Sequence, residues 1–224
     1  MLHWNDIDTV LFDMDGTLLD LHFDSFFWKE LLPQSYADKE GINLAQAWRV
    51  FEPKVKRIAG TLEWYCFDHW SQALGMDILA MKRDITHKIQ FRPGAEDLLK
   101  ALHASDKDVV LATNSNRDGL ALKMEFIPFA QYFNAIYSAH DFGYPKENQQ
   151  FWHALAEAHP FDPARTLFVD DNLDVLRSAR TYGIAHLRAI SRPDLSKPER
   201  DTGEFLAIDD FRDFLPLVTD PTKI

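Results

Sequence analysis

Short, continuous apolar runs recur along this chain, at 8–13 (DTVLFD), 108–113 (DVVLAT), 134–139 (NAIYSA), 166–170 (TLFVD) and 185–190 (AHLRAI). A run without polar alternation suits a strand covered on both faces, as in a parallel sheet. Between the runs, apolar residues fall at helical spacing. Ala95, Leu98, Leu99 and Leu102 form one stripe, Phe151, Trp152, Leu155 and Ala158 a second, and Leu173, Leu176, Ala179 and Tyr182 a third. Strands and helices that alternate over short connections predict an α/β fold, a Rossmann-like parallel sheet with right-handed crossovers.

The rhythm breaks once. Between Asp20 and Gln90 no strand pattern is present, and Leu44, Trp48, Phe51, Val55, Ile58 and Leu62 repeat at helical spacing. Pro53 lies inside that stripe and is expected to kink or break the helix. A second helix is expected over 62–74 and a third after Met76. The α/β core is therefore assigned to 1–19 and 91–224, and 20–90 to an inserted helical cap. RPGAEDLLKAL then restarts the core, with Pro93 leading into a helix. SRPDLSKPERDTG (191–203) is polar and Pro-containing and reads as a surface loop. A short strand and a closing helix are expected in EFLAIDDFRDFLPLV (204–218).

The 224 residues are 46% hydrophobic and 26% charged, enough to bury a core. A net charge of −11 argues against binding nucleic-acid polymers or anionic membrane through general electrostatics. The single cysteine, Cys66, rules out an internal disulfide and points to a reducing compartment. The opening MLHWNDIDTV lacks a basic start followed by an apolar stretch, and no apolar run approaches the ~20 residues of a membrane helix. A soluble, cytoplasmic protein is the expectation.

Ligands of an open parallel sheet bind beyond the carboxyl ends of its strands. The first run ends in Asp13, with Asp15 two residues on. The second ends in Thr113 and Asn114, and the fourth in Asp170 and Asp171. Lys146 follows the third, in HDFGYPKE. Each feature alone has a plainer reading. Asp15-Gly16 between apolar runs is a hairpin signal. TNSN and VDDN can cap helices, and a lone loop lysine is usually solvated. These separate readings do not explain why all four features fall at strand ends. Four carboxylates and one ammonium in a single crevice leave excess negative charge, and like carboxylates at close range cannot all stay ionised. A hard divalent cation with oxygen ligands, Mg²⁺, would resolve this and share a phosphoryl group with Lys146.

In order, DMDGTLLD, LATN, the lysine of GYPKE and FVDDN resemble the four motifs of the haloacid dehalogenase (HAD) superfamily, over about 8–183. The insert resembles a type 1 cap. TLEWYCFDHW, HDFGYPKENQQFWHA and TLFVDDN further resemble the GMP/IMP 5′-nucleotidase group. The resemblance implies a Mg²⁺-dependent phosphomonoester hydrolase acting on a small phosphorylated metabolite, a purine nucleoside 5′-monophosphate. Asp13 would be the nucleophile and Asp15 the general acid and base. The metal would sit on Asp13, the Asp15 backbone carbonyl and Asp171, with Asp170 as a ligand or just behind. Thr113, the Asn114 backbone and Lys146 would hold the phosphate. Pro145 precedes Lys146 and Glu147 follows it, where many members have proline after the lysine. Asp174 falls one residue short of the later acid of the common pattern and is left out of the site.

The insert carries nine Lys/Arg against ten Asp/Glu, so it can close over an anion without strong repulsion. Its aromatics at helical spacing are mostly core, and Tyr65 and Arg57 are the candidate substrate contacts. A phosphatase of phosphoglycolate or a sugar phosphate, and a phosphomutase, are the alternatives. A receiver-type phosphorylation switch is disfavoured, because it places its reactive aspartate on a middle strand and has no such insert.

Overall fold

The computed structural model describes residues 3–217. Strand β1 (Thr9–Phe12) leads into a helical stretch: α1 (His22–Phe26), a π turn at Phe27–Leu31, α2 (Leu32–Glu40), α3 (Leu44–Ile58), α4 (Phe67–Leu74) and α5 (Ile78–Arg83). The chain returns through α6 (Ala95–His103), β2 (Asp108–Thr113), α7 (Arg117–Phe126), β3 (Ala135–Ser138), α8 (Ala139–Phe142) and α9 (Gln149–Ala158). It finishes with β4 (Thr166–Asp170), α10 (Leu173–Tyr182), β5 (His186–Ile190) and β6 (Leu206–Ile208).

The sheet runs β3-β2-β1-β4-β5-β6, and every neighbouring pair is parallel. β1 lies between β2 and β4, in register Phe12 to Leu111 and Phe12 to Val169. The strand order reverses around β1, so a crevice opens at its carboxyl end. The five expected strands are present, and β6 is the short sixth.

Successive strand residues point to opposite faces, and the core divides accordingly. Val10, Phe12, Val109, Leu111, Leu167 and Val169 pack with α6 on one face. Leu11, Val110, Ala112 and Phe168 pack with α9 and α10 on the other. Both faces are therefore dry, which is why the runs carry no polar alternation. The helices from α1 to α5 enclose a third cluster around Phe23, Phe27, Phe51 and Trp70. The two chain crossings below it are tied together. The Asp20 amide donates to the Gln90 carbonyl (2.9 Å), and Gln90 Nε2 donates to the Asp20 carboxylate (2.8 Å).

Three local expectations are corrected. Helix α3 continues through Pro53. The missing amide forfeits one bond, to the Arg49 carbonyl, and both residues lie on the exposed face of the helix, where a carbonyl without an intrahelical partner is open to solvent. The helix expected over 62–74 is split at Cys66, whose backbone is extended, into a 3-10 turn at Leu62–Tyr65 and α4. Trp70 Nε1 donates to the Trp64 carbonyl (2.9 Å) and holds that turn against the helix. The closing helix is a 3-10 turn, Phe211–Phe214; the end of that segment, from 218, lies outside the described residues.

Phe168 is fully buried on the central β4 and packs edge-on against Trp152 (centroids 5.1 Å apart). Phe168→Ala is expected to cost about 3–5 kcal/mol, the range for a large-to-small core change. A lowered urea midpoint with an unchanged slope checks it.

Candidate active site

The turn after β1 sets the site. The Asp13 amide still donates to the Val169 carbonyl (3.0 Å), so Asp13 is fixed by the sheet. The chain then closes a tight loop, with the Gly16 amide on the Leu19 carbonyl (2.8 Å) and the Leu19 amide on the Met14 carbonyl (2.9 Å). The Asp-Gly step is thus not a two-stranded hairpin. Gly16 has φ +80°, and a Cβ there would stand 2.8 Å from Asp171 Oδ2. A glycine is required both by the left-handed backbone and by the approach of Asp171.

Lys146 is buried beneath this turn. Its ammonium donates to Asp13 Oδ1 (2.6 Å), Asp170 Oδ2 (2.7 Å) and the Ala112 carbonyl (3.1 Å), using all three N–H bonds. Its backbone is held as firmly. The Lys146 amide donates to Asn114 Oδ1 (2.9 Å), and Trp152 Nε1 donates to the Lys146 carbonyl (3.0 Å). The adjacent Glu147 braces the loops after β2 and β4 by accepting from Asn114 Nδ2 (3.0 Å) and Asn172 Nδ2 (3.3 Å). Glutamate after the lysine is therefore a structural brace.

Asp13, Asp15, Thr113, Asn114, Lys146, Asp170 and Asp171 line one cavity of about 290 Å³ at the carboxyl edge of the sheet. Thr113 Oγ1 accepts from the Ser115 amide (3.0 Å), which leaves its O–H to donate. Tyr65 also lines the cavity, projecting from the 3-10 turn against the Asn114 side chain. Burial, with Glu147 nearby, raises its hydroxyl pKa, so the phenol stays protonated. Arg57 departs from expectation. The inward stripe of α3 carries Phe51 and Ile58, which leaves Arg57 exposed and absent from the cavity lining.

Burial dominates the electrostatics. It pushes Asp13 up to about 6 despite the pull of Lys146, with Asp170 adding to the rise. It raises Asp15 to about 6 against the pull of Lys123. Asp171 is held well above the usual carboxylate range by burial, then by Asp170 and Asp13. Carboxylates that resist joint ionisation want a cation. Asp13, Asp170 and Asp171 each present an oxygen within 4.8 Å of the others, a hard donor set that fits Mg²⁺. Asp170 already accepts Lys146 and, at 2.7 Å, the Asn172 amide. Asp13 and Asp171 are the more available pair. Asp174 is outside the group, exposed and paired with Arg177 (2.8 Å).

Four residues escaped the sequence reading. Arg200, from the 191–203 loop, donates to the Asp171 carbonyl and lies 3.9 Å from its carboxylate. That loop is drawn over the sheet edge by buried Arg92, which donates to the carbonyls of Arg192, Pro193 (3.3 Å) and Asp209 (3.0 Å). Lys123 donates to Asp15, and Asp24 accepts from Lys123 (2.7 Å). The available signal was a lysine three residues after Leu120 on the buried side of α7.

Comparison with known proteins identifies the family. The haloacid dehalogenase-like hydrolase family matches residues 7–183. GMP/IMP nucleotidase YrfG of Escherichia coli is 39% identical over 213 residues, 95% of this chain and 96% of that protein. The chain belongs to the haloacid dehalogenase-like hydrolases. Solved structures in the same fold include a HAD phosphatase from Thermococcus onnurineus (TM-score 0.75, 20% identity, 93% of this chain and 98% of that one). A HAD-hydrolase from Bacillus subtilis, YfnB, solved bound to magnesium, has a TM-score of 0.66 at 19% identity, over 93% and 96% of the two chains. In this hydrolase the 191–203 loop and β6 lie beyond the family match.

Gly16→Ala is expected to cost about 1–2 kcal/mol from the left-handed backbone alone, and further stability through the clash with Asp171. Gly41→Ala, also left-handed but with open space around it, supplies the backbone cost by itself. A larger loss of urea stability in Gly16→Ala than in Gly41→Ala checks the close approach.

Proposed function

We propose that this chain hydrolyses purine nucleoside 5′-monophosphates, GMP and IMP above all, through an aspartyl-phosphate on Asp13. The observation that carries the reading is Asp13 itself: a buried carboxylate fixed by the sheet and Lys146 in the lining of a cavity large enough for a phosphoryl group. The likeness to the GMP/IMP nucleotidase YrfG over nearly the whole of both chains supports the choice of substrate class.

The chemistry follows from the charges. Asp13 attacks phosphorus, and the bond to the ribose 5′ oxygen breaks. An alkoxide is a poor leaving group, so Asp15 donates a proton to it. Asp15 then takes a proton from water, which attacks phosphorus, breaks the bond to Asp13 and restores the carboxylate. The hydroxyl of Thr113 and the backbone amide of Asn114 orient the phosphate oxygens. Lys146, saturated by Asp13, Asp170 and Ala112, holds the Asp13 carboxylate in line and offsets the anionic crowd. The carboxylates of Asp13 and Asp171 and the carbonyl of Asp15 would hold Mg²⁺, with Asp170 just behind. The ion, when bound, neutralises phosphate charge so that an anion can approach an anionic ester.

Residues 20–90 act as a cap on the core formed by 1–19 and 91–224. Tyr65 is the ring this cap presents to the cavity, and it contacts the nucleoside. Arg57 is not part of that surface.

Phosphate release from GMP, IMP, AMP, UMP and phosphoglycolate with Mg²⁺ tests the reading. Fast release confined to GMP and IMP is expected, abolished by chelation and restored by Mg²⁺. Preference for phosphoglycolate would reject the substrate class. Asp13→Asn should lose at least about 10³-fold in kcat, as removal of a nucleophile does. Tyr65→Ala should keep kcat within a few-fold but raise KM for GMP about tenfold, since a base–aromatic stack contributes ~1–3 kcal/mol. An equal loss on every substrate would refute a selective role for Tyr65.

A further inference from the structure

A chain of four charges links Asp15 to the helical segment. Lys82 on α5 donates to Asp24 Oδ1 (2.5 Å), Lys123 on α7 donates to Asp24 Oδ2 (2.7 Å), and Lys123 also donates to Asp15 Oδ1. The lysine side chains are 0% and 2% exposed, so neither is a solvated surface charge. Lys82 lies in an aromatic cage, 4.7 to 5.4 Å from the centroids of Phe27, Phe23, Phe67 and Trp28. That cage belongs to the helices inserted between β1 and β2. Asp24 is therefore anchored on the insert, while Lys123 and Asp15 belong to the core.

Stability alone does not account for such an arrangement. A buried ion pair recovers its desolvation cost only with good geometry, and apolar residues of similar volume often serve as well. What apolar residues cannot do is aim a carboxylate. The ammonium of Lys146 is already committed to Asp13, Asp170 and Ala112, and Arg200 faces Asp171. Among the described residues, Lys123 is the cation that contacts the Asp15 side chain. The insert also meets α7 closely: a Cβ on Gly119 would stand 2.9 Å from the Phe67 ring.

We propose that Lys123 is the positioning residue of Asp15, and that Asp24, anchored by Lys82, makes this positioning depend on the insert being seated on α7. The acid is then aimed at the leaving oxygen only while the insert covers the site. This rests on the reading of Asp15 as the proton donor in phosphoester hydrolysis.

The test compares esters that need a proton with one that does not. From GMP the nucleoside leaves as an alkoxide and needs the acid, whereas from p-nitrophenyl phosphate the stable p-nitrophenolate leaves without it. In the first turnover with enzyme in excess, which isolates leaving-group departure from the later hydrolysis that Asp15 also assists, Lys123→Met is expected to slow release from GMP by about 10²-fold, the contribution of a positioned acid, and release from the aryl ester by less than about threefold. KM for GMP should stay within about twofold, because the substrate's own contacts are intact. Asp24→Asn, which leaves Lys123 in place, should show the same imbalance at about a tenfold loss on GMP, and Lys123→Arg should recover part of it. Circular dichroism establishes folding; if Lys123→Met does not fold, Asp24→Asn decides. Equal losses on both esters, or none, would overturn the proposal while leaving the phosphatase reading intact. A wild-type protein that hydrolyses neither ester would overturn both.

Discussion

One buried ammonium organises the site. Lys146 has three N–H bonds, and they go to the Asp13 carboxylate, the Asp170 carboxylate and a carbonyl of β2. Without that cation the adjacent strand ends would bring unpaired carboxylates together in a low-dielectric crevice, at a cost that the sheet would have to absorb. The loop that supplies Lys146 is accordingly held from several sides, by Asn114, by Trp152, and by Glu147 next to it bridging Asn114 and Asn172. Fixing one ammonium fixes the relation between β1, β2 and β4 at their reactive ends.

The acids of the crevice are served by different cations. Asp13 and Asp170 share Lys146, Asp171 faces Arg200, and Asp15 is held by Lys123. This division separates the two carboxylates that the proposed chemistry uses. One is gripped from the core beneath it. The other is gripped from α7 and, through Asp24, from the inserted helices. Burial raises both into a range where protonation changes near neutrality, and the neighbouring lysines limit that rise.

Much of this was legible in the sequence because it is written in local pattern. Strands buried on both faces leave continuous apolar runs, so β1 to β5 could be placed to within a residue or two. The acids, Thr113, Asn114 and Lys146 could be gathered at one edge because parallel topology forces the strand ends together. What the pattern could not show was contact across the chain. Lys82 and Lys123 look like ordinary helix lysines, yet each lies on a buried face, and their shared partner, Asp24, is about a hundred residues before Lys123. Arg200 sits in a segment that reads as a polar loop, and its reach to Asp171 depends on Arg92 pulling that loop inward. Arg57 lies in the run Lys54, Lys56, Arg57, but charge density does not say which face of α3 turns toward the cavity. The break at Cys66, which aims Tyr65 at the site, followed from the Trp70 to Trp64 bond rather than from propensity.

The central claim is that phosphorus passes through a covalent bond to Asp13. Acid quenching during turnover of p-nitrophenyl phosphate with Mg²⁺, followed by peptide mass spectrometry, addresses it directly. Slowed hydrolysis of the aspartyl-phosphate in Asp15→Asn should allow the intermediate to accumulate, because the group that activates water is gone. The account predicts one acid-stable, base-labile phosphoryl group on the peptide containing Asp13, absent from Asp13→Asn. A phosphoryl group on any other residue, or active turnover with none at any quench time, would contradict it.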